Sequence, residues 1–230
     1  MSPLFFDPTM LLLIPAVLFA MWAQMKVKST FGQYSRVEAR RGVTADQVAR
    51  MLLDRFGLSA VSVNKVGGQL TDHYDPRNRT LSLSESVFGN SSIAAIGVAA
   101  HEVGHAIQHS EGYAPLAIRN SIVPVVNIGS SMAMPLFFIG FLFQGPTLMN
   151  IGIFLFLGVI VFHLVTLPVE YNASSRAVAI LGQTGALSGD ELQGAGKVLN
   201  AAAWTYVAAT LMAVMQLLRL LALRNSRNGR

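Results

Sequence analysis

A mainly α, multi-pass membrane protein of about four transmembrane helices, with a small α+β lobe, is the fold class that this chain of 230 residues predicts. Two observations set that class. The composition is 52% hydrophobic and 13% charged, and the apolar residues gather in four long runs: Thr9–Met25, Ser121–Gln144, Ile151–Leu167 and Ala201–Leu223. Each run is close to the ~20 residues that cross a bilayer core as a helix. The stretch between the first two runs differs in kind. Over residues 42–120 it holds short patterns broken by Gly, Pro, Asn and Asp, and reads helix, strand, hairpin, helix.

Taken in order, the first run is preceded by Asp7 and no basic residue, and followed by Lys26 and Lys28. Those flanks predict a retained anchor with its N-terminus outside, not a cleaved signal peptide. Thr44-Ala-Asp-Gln47 has the capping-box pattern, and Val48, Met51, Leu52 and Phe56 form a helical stripe that stops at Gly57. Val61–Val66 reads as a strand. Leu70–Asp75 and Thr80–Ser84 are extended stretches about the turn Pro76-Arg77-Asn78-Arg79. Leu81 and Leu83 alternate with serines, which predicts an edge strand with one buried face. Asn90, Ser91 and Ser92 supply an N-cap for the apolar run Ile93–Ala100, where Ile93, Ile96 and Ala100 share one stripe of a buried helix. Gly145-Pro146 is a turn that joins the second and third runs into a helical hairpin.

The helix that starts at Ile93 carries His101-Glu-Val-Gly-His105. Histidines four apart project from one helix face about one turn apart, so both imidazoles reach a single metal ion. Glu102 points roughly 100° away, where it can act on a water. This is the zinc metalloprotease arrangement, with His101 and His105 as ligands and Glu102 as general base. With five His and six Glu in the chain, an accidental match is on the order of a few in a thousand. On this reading the lobe is zincin-like. The strand at Thr80–Ser84 then stands where an extended peptide substrate could pair with it, and an ordinary hairpin is the equal alternative.

A catalytic zinc site takes three protein ligands and keeps one position open. His109 continues the spacing, but on a straight helix it lies about 12 Å along the axis from His101, out of reach of one ion. It reads as a polar helix-end residue. Glu111 stands six residues after His105, where metzincins place their third ligand, but Gln108 occupies the position of their turning glycine and Gly112 follows too late. Glu111 is therefore expected to be a solvated acid. Glu170 is the better candidate, because two crossings return the chain to the side that holds His101 and His105. A solvated carboxylate at a membrane exit is the competing reading. Ser174, four residues on, shares the face of Glu170 and could hydrogen-bond a ligand from behind.

Lysine and arginine orient the chain. None occurs in residues 1–25 or between Arg119 and Arg176, whereas Lys26, Lys28, Arg36, Arg40 and Arg41 follow the first run. The positive-inside rule puts residues 26–120, with the motif, on the cytoplasmic side. Four crossings would leave Arg224, Arg227 and Arg230 outside, so either the last helix departs from the rule or it does not fully cross. The net charge of +5 gathers at the ends of apolar runs, which fits contact with anionic lipid and not with nucleic acid. Zero cysteines exclude disulfides and thiolate ligands.

Four segments carry a family resemblance: Leu70-Thr-Asp-His-Tyr-Asp-Pro-Arg77, Val98-Ala-Ala-His-Glu-Val-Gly-His-Ala-Ile-Gln108, Leu167-Pro-Val-Glu-Tyr-Asn-Ala-Ser174 and Lys197-Val-Leu-Asn-Ala-Ala202. Together they resemble the YugP-like bacterial membrane zinc metallopeptidases, over nearly the whole chain. The resemblance implies a zinc-dependent peptidase of the bacterial inner membrane with Glu170 as third ligand, a gluzincin-like set. The plan is also similar to that of HtpX-type membrane proteases, in which a helical hairpin separates the zinc helix from a ligand glutamate. Those proteases carry an acid four residues after that glutamate, where this chain has Ser174.

His73 and Tyr74, on the hairpin, are candidates to hold substrate or an oxyanion, although a turn calls for polar residues in any case. Arg176 is a third such candidate, with a surface ion pair as its more common fate. His163, inside the third run, is expected to face the helix bundle. The expected organisation is an anchor at 1–25, a catalytic lobe at 26–120, a transmembrane hairpin at 121–169, a third-ligand helix and connector at 170–200, and a membrane helix with basic tail at 201–230. The expected activity is endopeptidase cleavage of membrane or unfolded proteins at the cytoplasmic membrane surface, with Zn2+ as cofactor and peptide, bilayer and other copies of the chain as candidate partners. A site-2 type intramembrane protease is disfavoured: no Asp-Gly occurs in the later runs, and residues 93–109 are too polar and too few to span. The alternative of another class is a non-proteolytic zinc-binding scaffold, which would not need Glu102. A transporter would need inverted repeats that are absent.

Overall fold

The computed structural model describes residues 8–228; Asp7 and Arg230, which entered the charge reading, lie outside them. After a short 3-10 turn at Pro8–Leu13, the elements run α1 (Ile14–Tyr34), α2 (Ala45–Arg55), β1 (Ser62–Val66), β2 (His73–Asp75), β3 (Thr80–Ser84), α3 (Ile93–Ser110), α4 (Ala114–Leu142), α5 (Pro146–Gln183) and α6 (Asp190–Asn228). Two compact units share them. One comprises Met1–Gln24, Ile118–Leu167 and Thr205–Arg230; the other comprises Met25–Ala117 and Pro168–Trp204. Helices α5 and α6 run unbroken through positions 169–170 and 200–201, where the sequence suggested segment boundaries.

The first unit is helical. Among the described residues, four helices are long and apolar enough to cross a membrane: Pro8–Tyr34, Ala114–Leu142, Pro146–Gln183 and Asp190–Arg227. The hairpin of α4 and α5 closes tightly because glycines let backbones touch. A Cβ on Gly152 would stand 2.7 Å from the Ala133 carbonyl oxygen, and one on Gly140 would stand 2.7 Å from the Met149 nitrogen. Small residues serve membrane helices in this way, since packing drives their association. Phe137, Met149, Ile153, Leu220 and Leu223 fill the interior, while Val125, Ile128 and Phe154 are more than two-thirds exposed and form a lipid-like outer face. Arg224 donates to Asn150 Oδ1 at 3.2 Å, and the Arg227 guanidinium lies 4.8 Å from the Phe141 ring centroid. The end of α6 therefore lies by the turn end of the hairpin. His163 is half-buried, stands edge-on to Phe162, and makes no hydrogen bond to another described residue.

The second unit is α+β. Its sheet has the order β1-β3-β2, with β1 parallel and β2 antiparallel to β3. The expected hairpin is present in the register Asp75↔Thr80, Tyr74↔Leu81, His73↔Ser82. Its turn is held by Asp75, whose Oδ1 accepts from the Arg77 N–H at 2.8 Å and whose Oδ2 accepts from Asn78 at 2.7 Å. The Arg77 N–H holds the Asp75 carboxyl below its ordinary pKa. One expectation is corrected. Thr80–Ser84 is the central strand, not an edge, because β1 takes its second side. The alternation was right for its faces, with Leu81 and Leu83 fully buried, but alternation reports faces and not neighbours.

On α2, the expected capping box is present, with Gln47 Oε1 accepting from the Thr44 N–H at 3.2 Å. The buried stripe is Ala45, Val48, Ala49, Leu52 and Leu53, whereas Met51 and Phe56 are about two-fifths exposed. Two alanines complete the i, i+3, i+4 face where the sequence reading had used larger side chains. With Ile96, Val103, Ile180, Leu181 and Leu199 these residues form one core around α3.

Candidate metal centre

Helix α3 starts where Ser92 Oγ accepts from the Ala95 N–H at 3.3 Å and ends where Gly112, at φ 65°, lets the chain turn. Nearly all of its faces are buried. Two glycines let other helices approach it. A Cβ on Gly97 would meet the Ala195 Cβ at 3.3 Å, and one on Gly104 would meet the Ala173 carbonyl oxygen at 2.7 Å. The second approach matters for the site, because Ala173 lies three residues after Glu170 on α5. Only a residue without a side chain lets α5 come near enough for Glu170 to reach the two histidines.

His101, His105 and Glu170 converge, with one potential ligand atom of each within 4.8 Å of the others. Glu170 Oε2 lies 3.2 Å from His101 Nε2 and 3.5 Å from His105 Nε2. Ligand atoms about 2.0–2.2 Å from a tetrahedral zinc stand roughly 3.3–3.6 Å from one another. One distance lies within that edge and the other about 0.1 Å below it, so these residues fit a zinc ion. The imidazoles meet edge-on with centroids 4.7 Å apart. His101 Nδ1 is hydrogen-bonded to Ser174 Oγ at 3.1 Å and His105 Nδ1 to Gln108 Oε1 at 2.9 Å. Each ring thus turns Nε2 toward Glu170 while its other nitrogen is held from behind. Burial pushes the His105 pKa down, but the Glu170 hydrogen bond and the Glu102 charge outweigh it and leave the pKa raised.

Glu102 is 7% exposed, and its carboxylate accepts no hydrogen bond from another described residue. It is not occupied in holding the fold.

The other predicted residues fall outside this cluster. His109 Nδ1 bonds the Tyr74 hydroxyl at 2.9 Å, near the C-terminal end of α3, and burial raises the Tyr74 pKa. His73 is exposed, with Nδ1 on the Thr71 carbonyl at 2.9 Å. Arg176 pairs with Glu111 at 2.7 Å and donates from Nε to Asn172 Oδ1 at 2.8 Å. Neither Arg176, His73 nor the Tyr74 hydroxyl hydrogen-bonds a member of the triad. Sequence reasoning missed Gln108 as a contact of His105, Asn172 behind it, and Gly104 as the point of helix contact. The available signal for Gln108 was a polar residue three positions after a ligand histidine, on the same helix face.

These observations define a class, and the comparisons agree with it. The chain belongs to a family of zinc metallopeptidases: residues 9–225 match the family described as "Putative neutral zinc metallopeptidase". It is also 51% identical over 208 residues to "Putative membrane protease YugP" of Bacillus subtilis (strain 168), a match covering 90% of this chain and 92% of the relative. No solved structure matches it.

Proposed function

We propose that the chain is a zinc-dependent endopeptidase of the cell membrane, with His101, His105 and Glu170 as metal ligands and Glu102 as general base. The observation that carries this reading is Glu102. It is buried next to a ligand histidine, and the fold does not use its carboxylate. A metal-storing scaffold needs the three ligands but not that group.

A bound zinc ion would polarise the scissile carbonyl and acidify water at the site. Glu102 accepts the proton of the attacking water and returns it to the leaving amine, so that one carboxylate serves both steps. Ser174 and Gln108 keep both imidazoles turned toward Glu170. An extended substrate would pair with the edge strand β2 in place of the central β3. Helix α3 packs on β2, and strand addition at an open edge supplies backbone hydrogen bonds without regard to sequence. On this reading His73 and Tyr74, both on β2, contact substrate and not the metal.

Glu170 follows the apolar run of α5 by three residues, so the site sits at a membrane border. That position supports membrane-protein loops or unfolded segments as substrates, and the distribution of Lys and Arg supports the cytoplasmic face of a bacterial inner membrane. The test is cleavage of an unfolded protein by the detergent-solubilised chain. A chelator should abolish the cleavage and zinc should restore it. Equimolar zinc binding with no cleavage across many unfolded and membrane-protein substrates would favour the scaffold.

A further inference from the structure

The amide of Gln108 has no exposed surface and makes three short contacts. Oε1 lies 2.9 Å from His105 Nδ1. Nε2 lies 2.9 Å from the Val169 carbonyl oxygen and 2.9 Å from Asn172 Oδ1. The Val169 oxygen can only accept, so Nε2 must face it and Oε1 must face His105. Asn172 Oδ1 is fixed in the same sense, because Arg176 Nε donates to it at 2.8 Å and a guanidinium only donates. Oε1 then has to accept from His105, which puts the proton of the neutral ring on Nδ1 and the lone pair on Nε2, the nitrogen 3.5 Å from Glu170.

We infer that Gln108 is a positioning residue for the metal centre, selecting the Nδ1–H tautomer of His105 and locking that ring to the backbone beside Glu170. The inference rests on the triad being a metal site. Its anchor carbonyl, Val169, immediately precedes Glu170, so one amide ties a ligand on α3 to the stretch of α5 that carries another. The two halves of the amide have separable effects. The oxygen sets which nitrogen of His105 binds metal. The NH2 group joins two helices, a contribution to folding that any donor of the same size would make. Groups that hydrogen-bond a metal-bound histidine typically change metal affinity by about 10–100-fold when removed.

The test uses the full chain in detergent and reads zinc affinity by competition with a chromophoric chelator, the visible spectrum of the cobalt-substituted protein, and the melting temperature of the metal-free protein. Gln108→Met keeps the side-chain length and loses both functions; zinc should bind roughly 10–100-fold more weakly, with altered cobalt bands. Gln108→Glu keeps an oxygen for His105 and loses the donors. It should melt lower yet hold zinc within about threefold of wild type, well inside the effect of losing the acceptor, with wild-type cobalt bands. Wild-type affinity and spectrum in Gln108→Met would overturn the inference and leave Gln108 as a packing tie. Loss of zinc by Gln108→Glu would overturn it as well, and that variant decides the matter if Gln108→Met does not fold. A wild-type chain that takes up no zinc would instead refute the metal-site reading itself.

Discussion

Gly104→Ala tests whether a single helix contact sets the metal geometry. The added Cβ would lie 2.7 Å from the Ala173 carbonyl oxygen, where ordinary contact begins at 3.4 Å, so α5 must retreat by about 0.7 Å at that point. Glu170 is one turn away on the same helix, and metal–ligand distances tolerate only about ±0.2 Å. The displacement exceeds that tolerance several-fold. Zinc affinity should fall by roughly the 10–100-fold seen when ligand positioning is disturbed. Fold stability is a poorer readout here. Overpacking costs about 1–3 kcal/mol, and replacing a helical glycine by alanine returns about 1 kcal/mol, so the net change in melting can be small. Gly97→Ala is the control. It sits on the same helix but meets Ala195 at 3.3 Å, away from the ligand-bearing stretch of α5, and should leave zinc affinity near wild type. Chelator competition on both variants decides the question, and wild-type zinc affinity in Gly104→Ala would refute the reasoning.

Other variants probe the ligand set and the topology. Zinc measured by atomic absorption should fall sharply in His101→Ala and Glu170→Ala and stay near one per chain in His109→Ala and Glu111→Ala; the reverse would mean that the ligands are misassigned. Because the chain has no cysteine, single cysteines at Ser35, Thr147 and Thr184 can be probed against a clean background. A membrane-impermeant maleimide on intact cells should label Thr147→Cys and spare Ser35→Cys and Thr184→Cys. Labelling of Ser35→Cys and Thr184→Cys alone would put the site outside.

Much of the site was legible because its logic is local. The four-residue spacing of His101 and His105 requires a helix, and the alanine-rich run before it supplies one. Glu170 follows from counting crossings, and Ser174 from helical spacing, which sets it on the face of Glu170, where it bonds His101 Nδ1 at 3.1 Å. What failed depended on partners distant in sequence. The pattern of β3 showed that Leu81 and Leu83 face inward, but whether a strand is central depends on β1, whose parallel pairing leaves no mark in β3 itself. Met51 and Phe56 look like core residues, yet the contact surface of α2 is built on alanines that carry little hydrophobic signal. Gly104 carries no signal of its own inside the motif. Its role exists only because α5 passes at that height. Gln108 stands out in the sequence only as a position where a metzincin would carry glycine, since its three partners include a backbone carbonyl, which no side-chain pattern can reveal.

The central claim, that Glu102 drives peptide hydrolysis at this metal centre, is tested most directly by Glu102→Gln. The substitution keeps shape and removes the base. Zinc content and melting should match wild type, while cleavage of an unfolded protein should fall at least about a hundredfold, the lower end for a removed general base. Undiminished cleavage by the zinc-loaded variant would contradict the account.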